Sequence, residues 1–151
     1  MHLERYKFEV RDNRYNFFSQ GPKGEIKKTV IYHQLSSPPS PLFNLSFGDW
    51  NDKVSRIDDL VVTNNADKQK VLATVAATVV HFTKQNPNAF IFAAGSTPSR
   101  TRLYQMAILS YLALITSLFE VEGFIRNTWE LFQTGRNYNA FLLKPKKSLL
   151  L

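Results

Sequence analysis

The sequence predicts an α+β fold built on a single mixed, mostly antiparallel sheet, and three observations carry that prediction. The first third of the chain alternates apolar and charged residues with a period of two, as half-buried strands do. Of two later stretches, one repeats its apolar residues at helical spacing and the other is a long apolar run opened by cap candidates and a proline. Between them lies an unbroken apolar run, Ala89-Phe90-Ile91-Phe92-Ala93-Ala94, of the kind found in central strands covered on both faces. With 151 residues the chain has the size of one domain, so 1–151 is read as a single unit.

The elements follow in order. Tyr6, Phe8 and Val10 alternate with Lys7, Glu9 and Arg11, and Tyr15, Phe17 and Phe18 continue the strand pattern after Asp12-Asn13. Gly21, Pro22 and Gly24 supply the turn angles of a hairpin, and Ile26 to Leu35 returns as a β-branched and aromatic strand. Three prolines in Ser36-Ser37-Pro38-Pro39-Ser40-Pro41 lack the N–H a ladder needs, which makes this a surface loop. Phe43, Leu45 and Phe47 mark a third strand, and Leu60 to Thr63 a fourth.

A first helix is expected from Asp67 to Gln85, with Asn64, Asn65 or Asp67 as its cap and Asn86-Pro87 as its stop. A second is expected from Pro98 to Leu118, capped by Ser96 or Thr97, with Pro98 at its first position. Phe119 to Ile125 then alternates as a strand, and Thr134-Gly135-Arg136-Asn137 turns into a last strand, Tyr138 to Lys144, forming a closing hairpin. The predicted order is ββββ-α-β-α-ββ, with the basic tail 144–151 frayed.

Composition excludes several functions. Without cysteine there is no disulfide framework, no thiolate metal site and no cysteine nucleophile. His2, His33 and His81 lack metal-ligand spacing, so no metal is expected. Asp49, Asp52, Asp58 and Asp59 surround Trp50 without the spacing or glycine of a calcium loop, and read as a solvated loop. No phosphate loop, dinucleotide fingerprint or nucleophile elbow is present. Leu103 to Phe119 is the longest apolar stretch, but Gln105, Ser110, Thr116 and Ser117 interrupt it, so no membrane span is expected. The opening Met1 to Tyr6 is charged and lacks a signal-peptide core, so the cytoplasm is the expected compartment.

The net charge of +7 is concentrated towards the two ends of the chain. Such an excess attracts nucleic acid or phosphate-bearing ligands, and it also keeps a protein soluble. Tyr6, Phe8, Tyr15, Phe17 and Tyr32 interleave with Arg5, Lys7, Arg11, Arg14, Lys27 and Lys28. Exposed, these rings would stack the bases of a single strand; turned towards the helices, they would be core.

Gly95 to Tyr104 is the most informative segment. It ends a buried strand and opens a helix, where α/β folds commonly place ligands and where free N–H groups favour anions. Ser96, Thr97, Ser99, Arg100 and Arg102 are the candidate anion-binding residues. Arg100 and Tyr104 share a helix face, and Arg102 lies about 200° around from Arg100. A capped helix whose arginines pair inside the fold explains the same residues.

From the third strand onward the order resembles the core of the GNAT acyltransferase superfamily, over Leu60 to Lys144. Ser99-Arg100-Thr101-Arg102-Leu103-Tyr104 stands where that superfamily often carries Ala-x-x-Leu-Tyr. The resemblance implies coenzyme A as cofactor and Tyr104 as the catalytic acid that protonates the departing thiolate. The chain departs from the pattern at the first helix: Asn64 to Lys70 contains no glycine, whereas the superfamily holds the cofactor pyrophosphate on a glycine-rich turn. The Gly-Ser-Thr-x-x-Arg-Thr-Arg-Leu-Tyr segment also resembles a group of small bacterial proteins to which no activity is attached. Three functions stay open at this point: a binding or regulatory domain with an anion site at the second helix, an active N-acyltransferase, and a basic single-stranded nucleic-acid binder. A homodimer is compatible with each.

Overall fold

The computed structural model describes residues 4–58 and 63–146. Among them the chain forms β1 (Glu9–Arg11), β2 (Arg14–Gly21), β3 (Gly24–Gln34), β4 (Leu42–Asn51), β5 (Arg56–Ile57), α1 (Lys68–Gln85), β6 (Phe90–Ala93), α2 (Pro98–Ser110), α3 (Leu112–Leu118), β7 (Phe119–Ile125), β8 (Thr128–Leu131) and β9 (Ala140–Pro145). One mixed sheet runs in the order β1-β2-β3-β4-β6-β9-β7-β8, with β5 attached to β4. The α+β class with a single sheet is therefore as the sequence predicts. Among the described residues only β4 and β6 pair in parallel, and α1 makes the crossover between them.

Alternation along each strand sends one set of side chains to the helices. Tyr15, Phe17, Val30, Tyr32, Phe43, Leu45, Ile91, Phe141 and Val121 meet Val75, Val79 and Phe82 of α1 and Ile108 and Ile115 of α2 and α3 in one core. Tyr32 stacks on Phe82 with ring centroids 4.0 Å apart. The aromatics considered for base stacking are thus core: Tyr6, Tyr15, Phe17 and Tyr32 are buried and Phe8 half-buried. Lys28, counted among the basic surface residues, is buried as well.

Several boundaries differ from the expectation. The predicted strand Leu60 to Thr63 lies largely outside the described residues, and Thr63 itself is coil. The second helix breaks at Tyr111, whose φ of −125° and ψ of 34° leave helical geometry. Periodicity misses that break because Ile108 and Ile115, seven residues apart, keep the same apolar spacing across it. The closing pair is three strands: β7 and β8 form the local hairpin through Arg126 and Asn127, both at positive φ. β9 inserts between β6 and β7. Its run Phe141-Leu142-Leu143 is apolar on both faces and suits an interior slot, whereas Thr128-Trp129-Glu130-Leu131 suits an edge.

Lys144 and Pro145 belong to β9 and are not frayed, and Lys144 Nζ pairs with Glu122 at 2.7 Å. Residues 147–151 lie outside the description. β6 is covered by helices on one face only, so Phe90 and Phe92 stay half-buried on the other.

Candidate functional site

The site follows from the way β4 and β6 part. They are paired from Leu42–Phe90 to Leu45–Ala93; there β6 ends while β4 runs on to Asn51. The next backbone groups of β4 facing that side belong to Phe47, and α2 satisfies both. The Phe47 N–H donates to Tyr104 Oη at 3.0 Å, and the Phe47 carbonyl accepts from Arg100 Nη2 at 2.8 Å. Arg100 Nη1 donates to the Asp58 carbonyl at 2.8 Å. Two side chains one helical turn apart therefore close the gap that the diverging strands leave. Gly48 makes room for this, since a Cβ there would lie 2.7 Å from Arg100 Nη2.

The start of α2 is built by its own sequence. Thr97 caps the helix by accepting from the Arg100 N–H at 3.2 Å, with Pro98 in the first turn. Thr101 Oγ1 accepts from the Gly95 N–H at 3.0 Å and donates to the Thr97 carbonyl at 3.1 Å. Gly95 has no alternative, because a Cβ would fall 2.3 Å from the Thr101 nitrogen. Ser96 and Ser99 are exposed. Arg102 points away from Arg100 and donates to Asn137 Oδ1 at 3.2 Å, beside a second cleft of about 280 Å³.

Arg100, Tyr104 and Ser96 line a cleft of about 380 Å³ together with Arg14, Trp50 and Arg56. That volume lies in the range of small-ligand sites. Three arginines, from β2, β5 and α2, line it, and no acidic side chain is among its described lining residues. None of the ion pairs among the described residues uses these arginines. The Arg14 guanidinium lies 4.5 Å from the centroid of the Trp50 ring. Burial pushes the Tyr104 phenol above its ordinary range, against the lowering effects of the Phe47 N–H and Arg100, so it is protonated at neutral pH.

The start of α1 is closed by the protein itself. Asp67 occupies the cap position without a side-chain cap bond, contrary to the expectation. Its carboxylate accepts instead from Tyr6 Oη at 2.6 Å and from Ser19 Oγ. Behind it, Lys28 Nζ pairs with Asp49 and donates to the Thr63 carbonyl at 2.8 Å, and Asp49 accepts from the Thr63 N–H at 3.0 Å. Asp49 is therefore part of a largely buried ion pair, where a solvated loop was expected; Asp59 lies outside the described residues. His81 Nδ1 sits 2.7 Å from Tyr15 Oη, His33 is exposed, and His2 lies outside the description. No group that could hold a metal ion occurs among the described residues, and no helix there is long and apolar enough to cross a membrane.

A model of a family of unknown function, DUF6934, matches residues 2–146. The chain belongs to that family. No curated protein and no solved structure matches it.

Sequence reasoning singled out Arg100 and Tyr104, which both line the cleft, but not Trp50 and Arg56 beside them. A signal was present: Ser46, Gly48 and Trp50 continue the alternation of β4, which puts Trp50 on a sheet face and not in a loop.

Proposed function

We propose that this protein is a binding domain for a small anionic ligand, held in the cleft between β4 and the start of α2. The observation that carries it is the convergence of Arg14, Arg56 and Arg100 on one cleft with no carboxylate among its described lining residues. Cations brought together from three elements repel one another, and a bound phosphate or carboxylate removes that repulsion through charge-assisted hydrogen bonds. Arg100 is fixed by two carbonyls, so its remaining N–H groups are already oriented. Ser96 and the α2 N-terminus add polar groups at the same mouth.

The test is a thermal-unfolding series with inorganic phosphate, pyrophosphate and a nucleoside monophosphate, on the wild type and on Arg56→Ala. A ligand at 100 times its dissociation constant adds about 2.7 kcal/mol, or roughly 5–11 °C for a domain of this size. A shift in the wild type that vanishes in Arg56→Ala supports the proposal; equal behaviour of the two proteins sinks it.

An N-acyltransferase of GNAT type is the second possibility, favoured by the order of β4, α1, β6, α2, β7 and β9 and by Tyr104 lining the cleft. Two features weigh against it. The α1 start holds Asp67 and no glycine where a pyrophosphate would lie, and the Tyr104 hydroxyl is engaged by the Phe47 N–H. Acetyl-coenzyme A and coenzyme A belong in the same series, because a shift with both that is absent with pyrophosphate would favour the enzyme.

A further inference from the structure

The cleft opens onto the sheet face that carries no helix, and the residues beside it form a pattern of their own. Arg14, Asn16 and Phe18 alternate onto that face of β2, and Lys27 stands opposite Phe18 on β3. Trp50 lies one step beyond the Lys28–Asp49 pair, level with Lys27. Lys27 Nζ is 5.4 Å from the Trp50 ring, with the Arg14 guanidinium on that same ring. Phe18 is 43% exposed, so its ring is open to a stacking partner. The result is a row of ring, cation, ring across three strands, running into a cleft that holds three arginines.

We propose that this open face of β2, β3 and β4 is a platform for single-stranded nucleic acid, with one phosphate seated in the arginine cleft. The inference rests on the anion-accepting cleft and names its ligand class. Phe18 and Trp50 stand two strand spacings apart, about 10 Å. One base fits the Phe18 ring and a second fits the Arg14 guanidinium laid on the Trp50 indole, with the phosphate between them over Lys27. Arginine planes accept bases in this way in many single-strand complexes. Charge complementarity selects this partner: the cleft and the row carry cations, and the chain as a whole is +7. Stacking selects single strands over duplex, whose bases present no free faces. The surface is also opposite to the aromatic set that sequence reading offered for the same task, which is buried against the helices.

The experiment is a fluorescence-anisotropy titration of end-labelled single-stranded and duplex dodecamers at several salt concentrations. Lys27→Ala, Phe18→Ala and Arg56→Ala are run beside the wild type, and their thermal unfolding is recorded to show that they fold. The expected result is a preference for single strands, with log K falling linearly as log salt rises. Lys27→Ala and Arg56→Ala each lower that slope by about 0.7. Phe18→Ala weakens binding roughly 5- to 150-fold with the slope unchanged. Equal binding of duplex, an unchanged affinity for Phe18→Ala, or equal competition by polyglutamate overturns the platform. If pyrophosphate shifts unfolding through Arg56 and no oligomer binds, the platform fails while the cleft stands. If neither binds, both fail.

Discussion

The starts of α1 and α2 invite comparison, because each helix begins on the same side of the molecule near the parting of the two parallel strands. At α1 the protein supplies its own anion. The Asp67 carboxylate is held by Tyr6 and Ser19, and the Lys28–Asp49 pair is tied to both backbone groups of Thr63. Nothing there calls for a ligand. At α2 the cap is a neutral Thr97, and the charge brought to its flank is positive, from three arginines with no carboxylate among the residues lining their cleft. The same local chemistry, a helix start beside a sheet, is completed by a carboxylate at one end, whereas at the other no carboxylate is among the described residues that line the cleft. On the proposed reading, what separates structural from ligand-binding charge is whether the described residues already provide the counter-charge.

The comparison is broken most severely at α1. Lys28→Met leaves Asp49 charged and largely buried without its partner, and is expected to lower stability by about 3–5 kcal/mol in urea unfolding. Ligand affinity per folded molecule should be unchanged. Next comes Gly95→Ala: its Cβ would meet the backbone nitrogen of Thr101, which cannot swing aside, so a loss of roughly 2–3 kcal/mol is expected. A smaller loss at the same helix would show that the α2 start tolerates displacement.

Tyr104→Phe removes the acceptor of the buried Phe47 N–H and should lower stability by about 1–3 kcal/mol with no ligand present. An unchanged melting temperature would instead point to a hydroxyl kept for chemistry. A pH effect belongs to the covered face. Burial raises the Tyr15 phenol from its ordinary value of 10 to about 12. Its contribution is fully present below pH 10 and is lost as the pH rises through about 12, so stability should fall in alkali. Tyr15→Phe should flatten that decline in a pH series of unfolding midpoints. The smallest effect on stability is expected for exposed Arg56→Ala, within about 0.5 kcal/mol. That silence is what makes it the sharpest probe of ligand binding at α2.

Much of this was legible in the chain. Alternation in Tyr15 to Phe18 and in Phe43 to Phe47 marked the strands, and the spacing of Leu72, Val75, Val79 and Phe82 marked α1. These are local signals, set by which face of an element water is excluded from. The same logic located Gly95 to Tyr104 as the corner between a strand and a helix, and placed Arg100 and Tyr104 on one helix face.

The sequence by itself determined the class, the single sheet, the helix starts and the residue types available to a site. Tertiary structure alone decided what those residues do. No local pattern records that β4 outruns β6, that Phe47 is left with two unpaired backbone groups, or that Arg100 and Tyr104 satisfy them. Nor does any record that Trp50 and Arg56 stand beside Arg14, or that β9 slots between β6 and β7. The reason is physical: periodicity reports burial relative to a neighbour but not which neighbour, and partners far apart in sequence are chosen only when the strands assemble.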